Sequence, residues 1–244
     1  MDFSIVIPVF RGSNSVHKIY EETEKVLKDF SWELILVFDY GIQESWFKII
    51  ELQKLKSNVT VIQLTRNFGQ HNATICGFEF ASGKYVVTLD EDMQHNPIEI
   101  LKLYEECNNK DLDVVYGVYD ERRHNYFRNI TSSLMKKMLK IGIPDLYNGF
   151  TSFRLIKFET ARELVGMRNS YTFLDGYLTW VTFNVGGIKI SHHESESGIS
   201  SYTTKKLIEH SINIFITFSN LPFRILRFLS IFFLIFSSMY SVYI

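Results

Sequence analysis

Asp90, Glu91 and Asp92 follow one another at the end of an apolar run, in the stretch VVTLDEDMQHNP (86–97). Carboxylates this close raise one another's pKa unless a positive charge lies between them. Side chains alternate along an extended strand, so Asp90 and Asp92 are expected to point one way and Glu91 the other. That spacing makes a two-carboxylate grip for a divalent metal. Magnesium keeps few protein carboxylates and completes its shell with water and substrate phosphates, so Mg2+ or Mn2+ held there implies a nucleoside-diphosphate partner. Gln94 shares the parity and adds an oxygen ligand. The competing reading is local: Asp92 or Asn96 caps a helix starting at Pro97, and the other acids are merely solvated.

Such a grip works only where a fold holds it at the mouth of a ligand site. Strand-like runs at 3–10, 32–38, 59–65 and 84–90 alternate with amphipathic segments at 16–30, 45–55, 70–81 and 97–107. Four βα units in succession predict an α/β protein, Rossmann-like, with a mostly parallel sheet and helices on both faces. Ligands then gather at the C-terminal ends of the strands. After DLDVVYGV (111–118) the alternation loosens into a basic, aromatic segment (121–140), a turn-rich GIPDLYNGF, a short strand near SFRLI and a helix. This half is the expected acceptor side.

At 244 residues the chain has room for one sizeable domain and a short appendage. A hydrophobic share of 46% with 15% aromatics excludes disorder. A net charge of -1 without a basic stripe argues against a nucleic-acid partner. Cys76 and Cys107 stand apart, so neither a disulfide framework nor a zinc site of paired cysteines is readable, and a reduced, cytosolic setting fits. The opening MDFSIVIPVF lacks the basic start and cleavage site of a signal peptide, so secretion is not expected.

The other end differs. From Phe228 to Ile244 the chain carries no charge. As a helix that run is roughly 25 Å long, slightly short of the roughly 30 Å hydrocarbon core, and it reads as a membrane segment. The stretch from Thr203 to Arg227 mixes apolar faces with Lys205, Lys206, Arg224 and Arg227, and Pro222 divides it into two helices suited to a membrane surface. Basic residues just before the apolar run place the globular part on the cytoplasmic face of the cell membrane. The expected divisions are 1–202, 203–227 and 228–244.

Six motifs in order carry a resemblance: IVIPVF, LILVFDYG, VIQLTRNFGQHNAT, VVTLDEDMQHNP, NGFTSFRLI and GISSYTTKKL. Together they resemble the inverting GT-A glycosyltransferases of family 2, and within it the polyprenyl-phosphate glycosyltransferases, over almost the whole chain. The resemblance implies that 1–202 is a GT-A catalytic domain in which Pro8 and Phe10 line a base pocket and Asp39 binds the base. It implies that Arg66, Asn67, Gly69 and Gln70 of RNFGQ shape the donor pocket and that Asp90 binds the ribose or diphosphate. Asp92 would hold the metal, helped by Gln94. Arg122, Arg123 and Arg128 fall in the segment similar to the family's basic acceptor loop, and Arg154 lies in SFRLI. Arginine suits a phosphate acceptor because its planar fork donates two hydrogen bonds at once.

The implied activity is inverting transfer of a sugar from a UDP- or GDP-sugar to a polyprenyl phosphate beside the lipid bilayer, for glycan or cell-surface modification. A phosphate monoester is largely dianionic at pH 7, with a second pKa of about 6, so the acceptor needs no strong base. Self-association into a homo-oligomer is left open. Three departures stand against the family pattern: Gln43 replaces an acid after the second strand, Ser152 an Asp before FRLI, and Ser195 an Arg before the GxSxY motif. Two alternatives follow. A family 2 enzyme that glycosylates a polysaccharide or lipopolysaccharide hydroxyl would need a base, for which Glu91 and the acids around Ser195 are candidates. An inactive GT-A scaffold would explain the departures but not the retention of Asp39, Asp90 and Asp92. His71, His95, His192 and His193 lack a metal-binding spacing and read as surface or supporting hydrogen bonders.

Overall fold

The apolar run at the N-terminus forms β1 (Phe3–Val9), in which Phe3, Ile5, Ile7 and Val9 turn to one face and Ser4 and Val6 to the other. The computed structural model describes residues 1–11, 15–119, 139–167, 172–190, 212–219 and 221–243. The next elements are α1 (Ser15–Val26), β2 (Trp32–Phe38), α2 (Gln43–Leu55), β3 (Val59–Gln63), α3 (Gln70–Phe78), β4 (Tyr85–Thr88) and α4 (Glu99–Lys110). A fifth strand, β5 (Val114–Tyr119), a helical turn at 139–142 (α5), β6 (Arg154–Lys157), α6 (Phe158–Leu164), α7 (Leu174–Val181) and β7 (Val185–Ile190) follow. The last described helices are 212–218 (α8) and α9 (Leu221–Tyr243).

The seven described strands form one sheet in the order β3-β2-β1-β4-β6-β5-β7. β1 pairs in parallel with β2 and β4, β2 with β3, and β5 with β7, so the sheet is mostly parallel as its βα alternation requires. β6 is the exception and runs antiparallel to both β4 and β5. It therefore enters the sheet from the end where β4 leaves it, with Thr88 opposite Arg154 and Arg154 opposite Tyr116.

Helices cover both faces. Val16, Ile19 and Tyr20 of α1, Ile49 and Leu52 of α2, and Ile100, Leu103 and Cys107 of α4 join the odd-numbered β1 side chains in one core. Helix α3 packs on β1 and β2 and meets α6 and α7 on the other side. Burial of these apolar stripes, rather than helix propensity, holds the short helices in place.

Several boundaries differ from the sequence expectation. α1 stops at Val26 because the chain must turn back by Trp32, and Phe30 leaves the helix to pack edge-on against Phe3 and Tyr104. α4 begins at Glu99, two residues after Pro97, because Asn96 Oδ1 accepts the Ile98 amide at 3.0 Å and makes a turn of its own. β4 ends at Thr88, before the acids.

The chain divides into two units, Met1–Arg123 with Tyr147–Ser200, and His124–Leu146 with Ser201–Ile244. The sheet and its helices lie in the first. In the second, Phe215 of α8 packs against α5 at Gly142, and Leu139, Ile143, Leu146 and Ile214 are buried. α9 runs unbroken through Arg224 and Arg227 to Tyr243, about 34 Å at helical rise, so a division at 228 falls inside one helix. Pro222 is tolerated because it lies in the first turn, where the missing N–H has no partner to lose. The span Pro222–Tyr243, with mean hydropathy 1.8, is long and apolar enough to cross a membrane.

Candidate active site

The loops after β1, β2, β3 and β4 leave the sheet at the C-terminal ends of its parallel strands. Asp39, directly after β2, is buried at 4% exposure. Its Oδ1 accepts the amide of Phe68 at 2.7 Å and its Oδ2 the amide of Gly69 at 2.8 Å. Burial pushes the Asp39 carboxyl above its usual value, and the two amides offset part of that. The described bonds of this carboxylate thus hold the RNFGQ turn. Gly69, with φ 87° and ψ 155°, occupies backbone space that only glycine enters freely. Arg66 and Asn67 are exposed, and the Arg66 guanidinium stacks over the Phe68 ring at 4.7 Å.

Phe10 and Pro8 belong to the β1 end. Pro8 pairs only with Val37 of β2, beyond the last β4 pairing at Val6, so its missing donor leaves no broken ladder bond on the β4 side. Arg11 places its guanidinium 5.4 Å from the Phe10 ring centroid. Gln43, the departure after β2, is the first residue of α2.

The three acids do not alternate as a strand would place them. They lie on a turn that Met93 completes at φ 63°, and each is held differently. Asp90 Oδ1 accepts from Gln70 Nε2 at 2.5 Å, while Oδ2 accepts from Ser152 Oγ at 2.5 Å and lies 3.3 Å from His95 Nε2. Burial raises the Asp90 carboxyl, but the bonds from His95 and Ser152 and the nearby Arg154 charge outweigh it and leave the group below its usual value. Glu91 accepts the amides of Phe10 at 2.8 Å and Arg11 at 2.9 Å. Asp92 Oδ1 accepts the Gln94 amide at 3.1 Å, and its Oδ2 has no hydrogen bond among the described residues. Burial, with Asp90's charge adding to it, keeps the Asp92 carboxyl above the ordinary value.

The shared-grip expectation is therefore corrected. Asp90 is bonded to side chains of α3, the acid turn and the β6 entry, whereas Asp92 Oδ2 has no hydrogen bond among the described residues. Among the described residues no three His, Cys, Asp or Glu side chains converge on one point. One or two protein oxygens, the rest coming from water and a diphosphate, is nevertheless how magnesium-type ions are commonly held, and Asp92 with Gln94 beside it fits that pattern.

Arg154 departs further from expectation. It is 3% exposed, pairs with Asp175 of α7 and donates from Nε to Thr88 Oγ1 at 3.2 Å. Its guanidinium also lies 5.7 Å from the centroid of the Tyr116 ring, whose hydroxyl donates to Asp175 at 2.8 Å. A guanidinium so enclosed does not reach an acceptor phosphate; it supports the core beneath Asp90. Arg122, Arg128 and Ser195 lie outside the described residues.

Sequence reasoning missed His95 and Ser152 as partners of Asp90. His95 is buried at 4% exposure and stacks on Phe153 with ring centroids 5.2 Å apart. The only local sign was its place five residues after Asp90, across a turn. Ser152 is a departure from the family pattern, and no local signal places it beside Asp90.

Residues 4–172 match the family described as Glycosyl transferase family 2. The chain belongs to that family. Among its relatives, the undecaprenyl-phosphate 4-deoxy-4-formamido-L-arabinose transferase of Pseudomonas fluorescens (strain SBW25) is 29% identical over 91% of this chain and 66% of its own length. The enzyme of the same name from Proteus mirabilis (strain HI4320) is 29% identical over 91% of this chain and 69% of its own. The fold has likenesses among solved structures. Glucosyl-3-phosphoglycerate synthase from Mycobacterium tuberculosis, solved with Mn2+, UDP and phosphoglyceric acid, superposes with a TM-score of 0.65 at 14% identity, covering 87% of this chain and 75% of that one. Staphylococcus aureus TarS, solved with UDP-GlcNAc, gives 0.54 at 15% identity over 88% of this chain and 65% of that one. The chain thus spans about two thirds to three quarters of the length of these proteins, and the structural likeness places its sheet in the GT-A class.

Proposed function

We propose that this chain transfers a sugar, with inversion, from a UDP- or GDP-sugar to a polyprenyl phosphate at the cytoplasmic face of a membrane. The observation that carries the reading is the division of labour among Asp90, Glu91 and Asp92: both carboxylate oxygens of Asp90 and of Glu91 accept bonds from the protein, while Asp92 Oδ2 has none among the described residues. The names of the undecaprenyl-phosphate transferases support the acceptor, and the apolar α9 supports a membrane setting.

In this reading Phe10 offers its face to the base and the turn held by Asp39 closes the donor pocket. Asp92, with Gln94, would hold a divalent cation. A Mg2+ or Mn2+ ion bound there supplies positive charge for the diphosphate as it leaves. Asp90, kept ionised by His95 and Ser152, meets the donor through the oxygen lone pairs those bonds leave over. Arg122 and Arg128 are assigned to the acceptor phosphate; the role first considered for Arg154 passes to them. The acceptor arrives as an anion, so the protein has to position it rather than deprotonate it.

Glycosylation of a hydroxyl would require a base, and Glu91 is engaged by two backbone amides. That counts against Glu91 as the base, while the acids around Ser195 lie outside the described residues. The test is incubation of membranes carrying the protein with labelled nucleotide sugars and undecaprenyl or dolichyl phosphate. Labelled lipid is expected, with loss of more than about a hundredfold in Asp92→Ala at unchanged thermal stability, since charge stabilisation of this kind is worth about 10² to 10³ in rate. Transfer to a glycan hydroxyl instead of the lipid, or unchanged turnover in Asp92→Ala, would overturn the reading.

A further inference from the structure

Nothing in that mechanism uses Glu91, yet both its carboxylate oxygens and its carbonyl are bonded to the chain around β1. Its two carboxylate oxygens each accept one backbone amide, from Phe10 at 2.8 Å and from Arg11 at 2.9 Å. Its carbonyl accepts the hydroxyl of Ser15, the first residue of α1. A single residue of the β4 loop therefore fastens the segment after β1 at its start and at its end. The other side of Phe10 is held by the β2 loop. The Phe10 carbonyl accepts the Ile42 amide at 2.9 Å, and Gly41 comes so near that a Cβ there would lie 1.9 Å from that oxygen. Charge-assisted bonds to two successive amides fix orientation as well as distance.

We propose that Glu91 is a positioning residue of the donor site: by gripping Phe10 and Arg11 it sets the span between the Phe10 ring and the Asp92 carboxylate. The inference rests on the donor reading above and adds to it the part that fixes its dimension. A nucleoside diphosphate has a limited reach from base to terminal phosphate. Residue 91 is bonded to the base-side loop, and residue 92, its neighbour in the chain, serves the diphosphate end, so both ends of the donor meet one bracket. Glu91 itself touches neither substrate in this reading. Its loss therefore weakens binding of the whole donor and leaves the bond-making step intact once the donor is bound.

The experiment uses the full chain in detergent, with Glu91→Ala, Glu91→Gln and Ser15→Ala compared for transfer kinetics and for calorimetric binding of UDP and GDP with Mn2+. In Glu91→Ala the donor KM and the nucleotide Kd are expected to rise together about tenfold, with kcat within about twofold, a change about the size of one hydrogen bond to a charged group. Glu91→Gln, which keeps one acceptor oxygen, should fall between Ala and the native chain. Ser15→Ala should shift both constants in the same direction by less. Unchanged KM and Kd in both Glu91 variants would overturn the proposal. So would a fall in kcat at constant KM, which assigns Glu91 to the chemistry, or a lowered folded fraction at constant KM, which leaves it a purely structural role. If the native chain binds UDP or GDP but transfers nothing, the donor arm still judges Glu91 through Kd while the acceptor reading fails. If it binds neither nucleotide, both fail together.

Discussion

Ser152 donates its hydroxyl to Asp90 Oδ2 at 2.5 Å, joining the end of β4 to the residues that lead into β6. The bond supplies part of the counterweight that keeps Asp90 ionised against burial. Replacing Ser152 with Ala is expected to cost about 1–3 kcal/mol, the penalty for a charged acceptor losing a partner. Donor binding should weaken in parallel. Urea unfolding and nucleotide calorimetry on the variant check both; a neutral Ser152→Ala would show that Gln70 and His95 suffice.

Beneath that bond, Arg154 and Asp175 form an ion pair in which both side chains are under 5% exposed. Removing one partner leaves a buried charge uncompensated. Arg154→Met alone is expected to lose about 3–5 kcal/mol, while Arg154→Met with Asp175→Leu should recover most of it, because the desolvation cost of the pair disappears with the pair. A double-mutant cycle in urea reads the difference.

Tyr116 completes that cluster, and its phenol has a pKa well above the usual 10.0 because it is buried and faces the Asp175 charge. Its native state stays neutral where the unfolded chain has begun to ionise. Stability from this group is thus fully present below pH 10 and declines as pH climbs from 10 towards the raised native value. Other tyrosines titrate in the same range, so the comparison is between the native chain and Tyr116→Phe. The variant should show the shallower alkaline loss, measured as thermal midpoints from pH 9 to 11.

Gly69 tests the turn that Asp39 holds. A Cβ at this position would meet nothing within 4 Å, so Gly69→Ala isolates the torsional cost of φ 87°. A loss of about 1–3 kcal/mol is expected, with a raised donor KM. Combined with Asp39→Asn, which removes one of two acceptor oxygens from the same turn, the losses should fall short of their sum because both act on the Phe68–Gly69 amides.

Much of this molecule was legible along the chain. β-branched runs alternating with amphipathic segments announced the parallel half of the sheet, since strand and helix periodicities are local properties. The uncharged run after Arg227 announced a helix fit for a membrane, although Arg224 and Arg227 turned out to lie within it rather than before it. The three acids also stood out in the sequence, at the end of an apolar run.

Their arrangement was another matter. Strand parity assigned Asp90 and Asp92 to one grip, but β4 ends at Thr88 and the turn sends each carboxylate to its own partner. Those partners, Gln70, Ser152, Phe10 and Arg11, belong to distant parts of the chain. They meet the acids only because β1 and β4 are neighbours and because β6 enters between β4 and β5 against the direction of both. Composition and periodicity determined which residues are apolar, which are charged and what elements they form. Strand order decided which groups each carboxylate meets, because hydrogen-bond partners are chosen by proximity in space, and antiparallel insertion of a strand leaves no trace in local sequence.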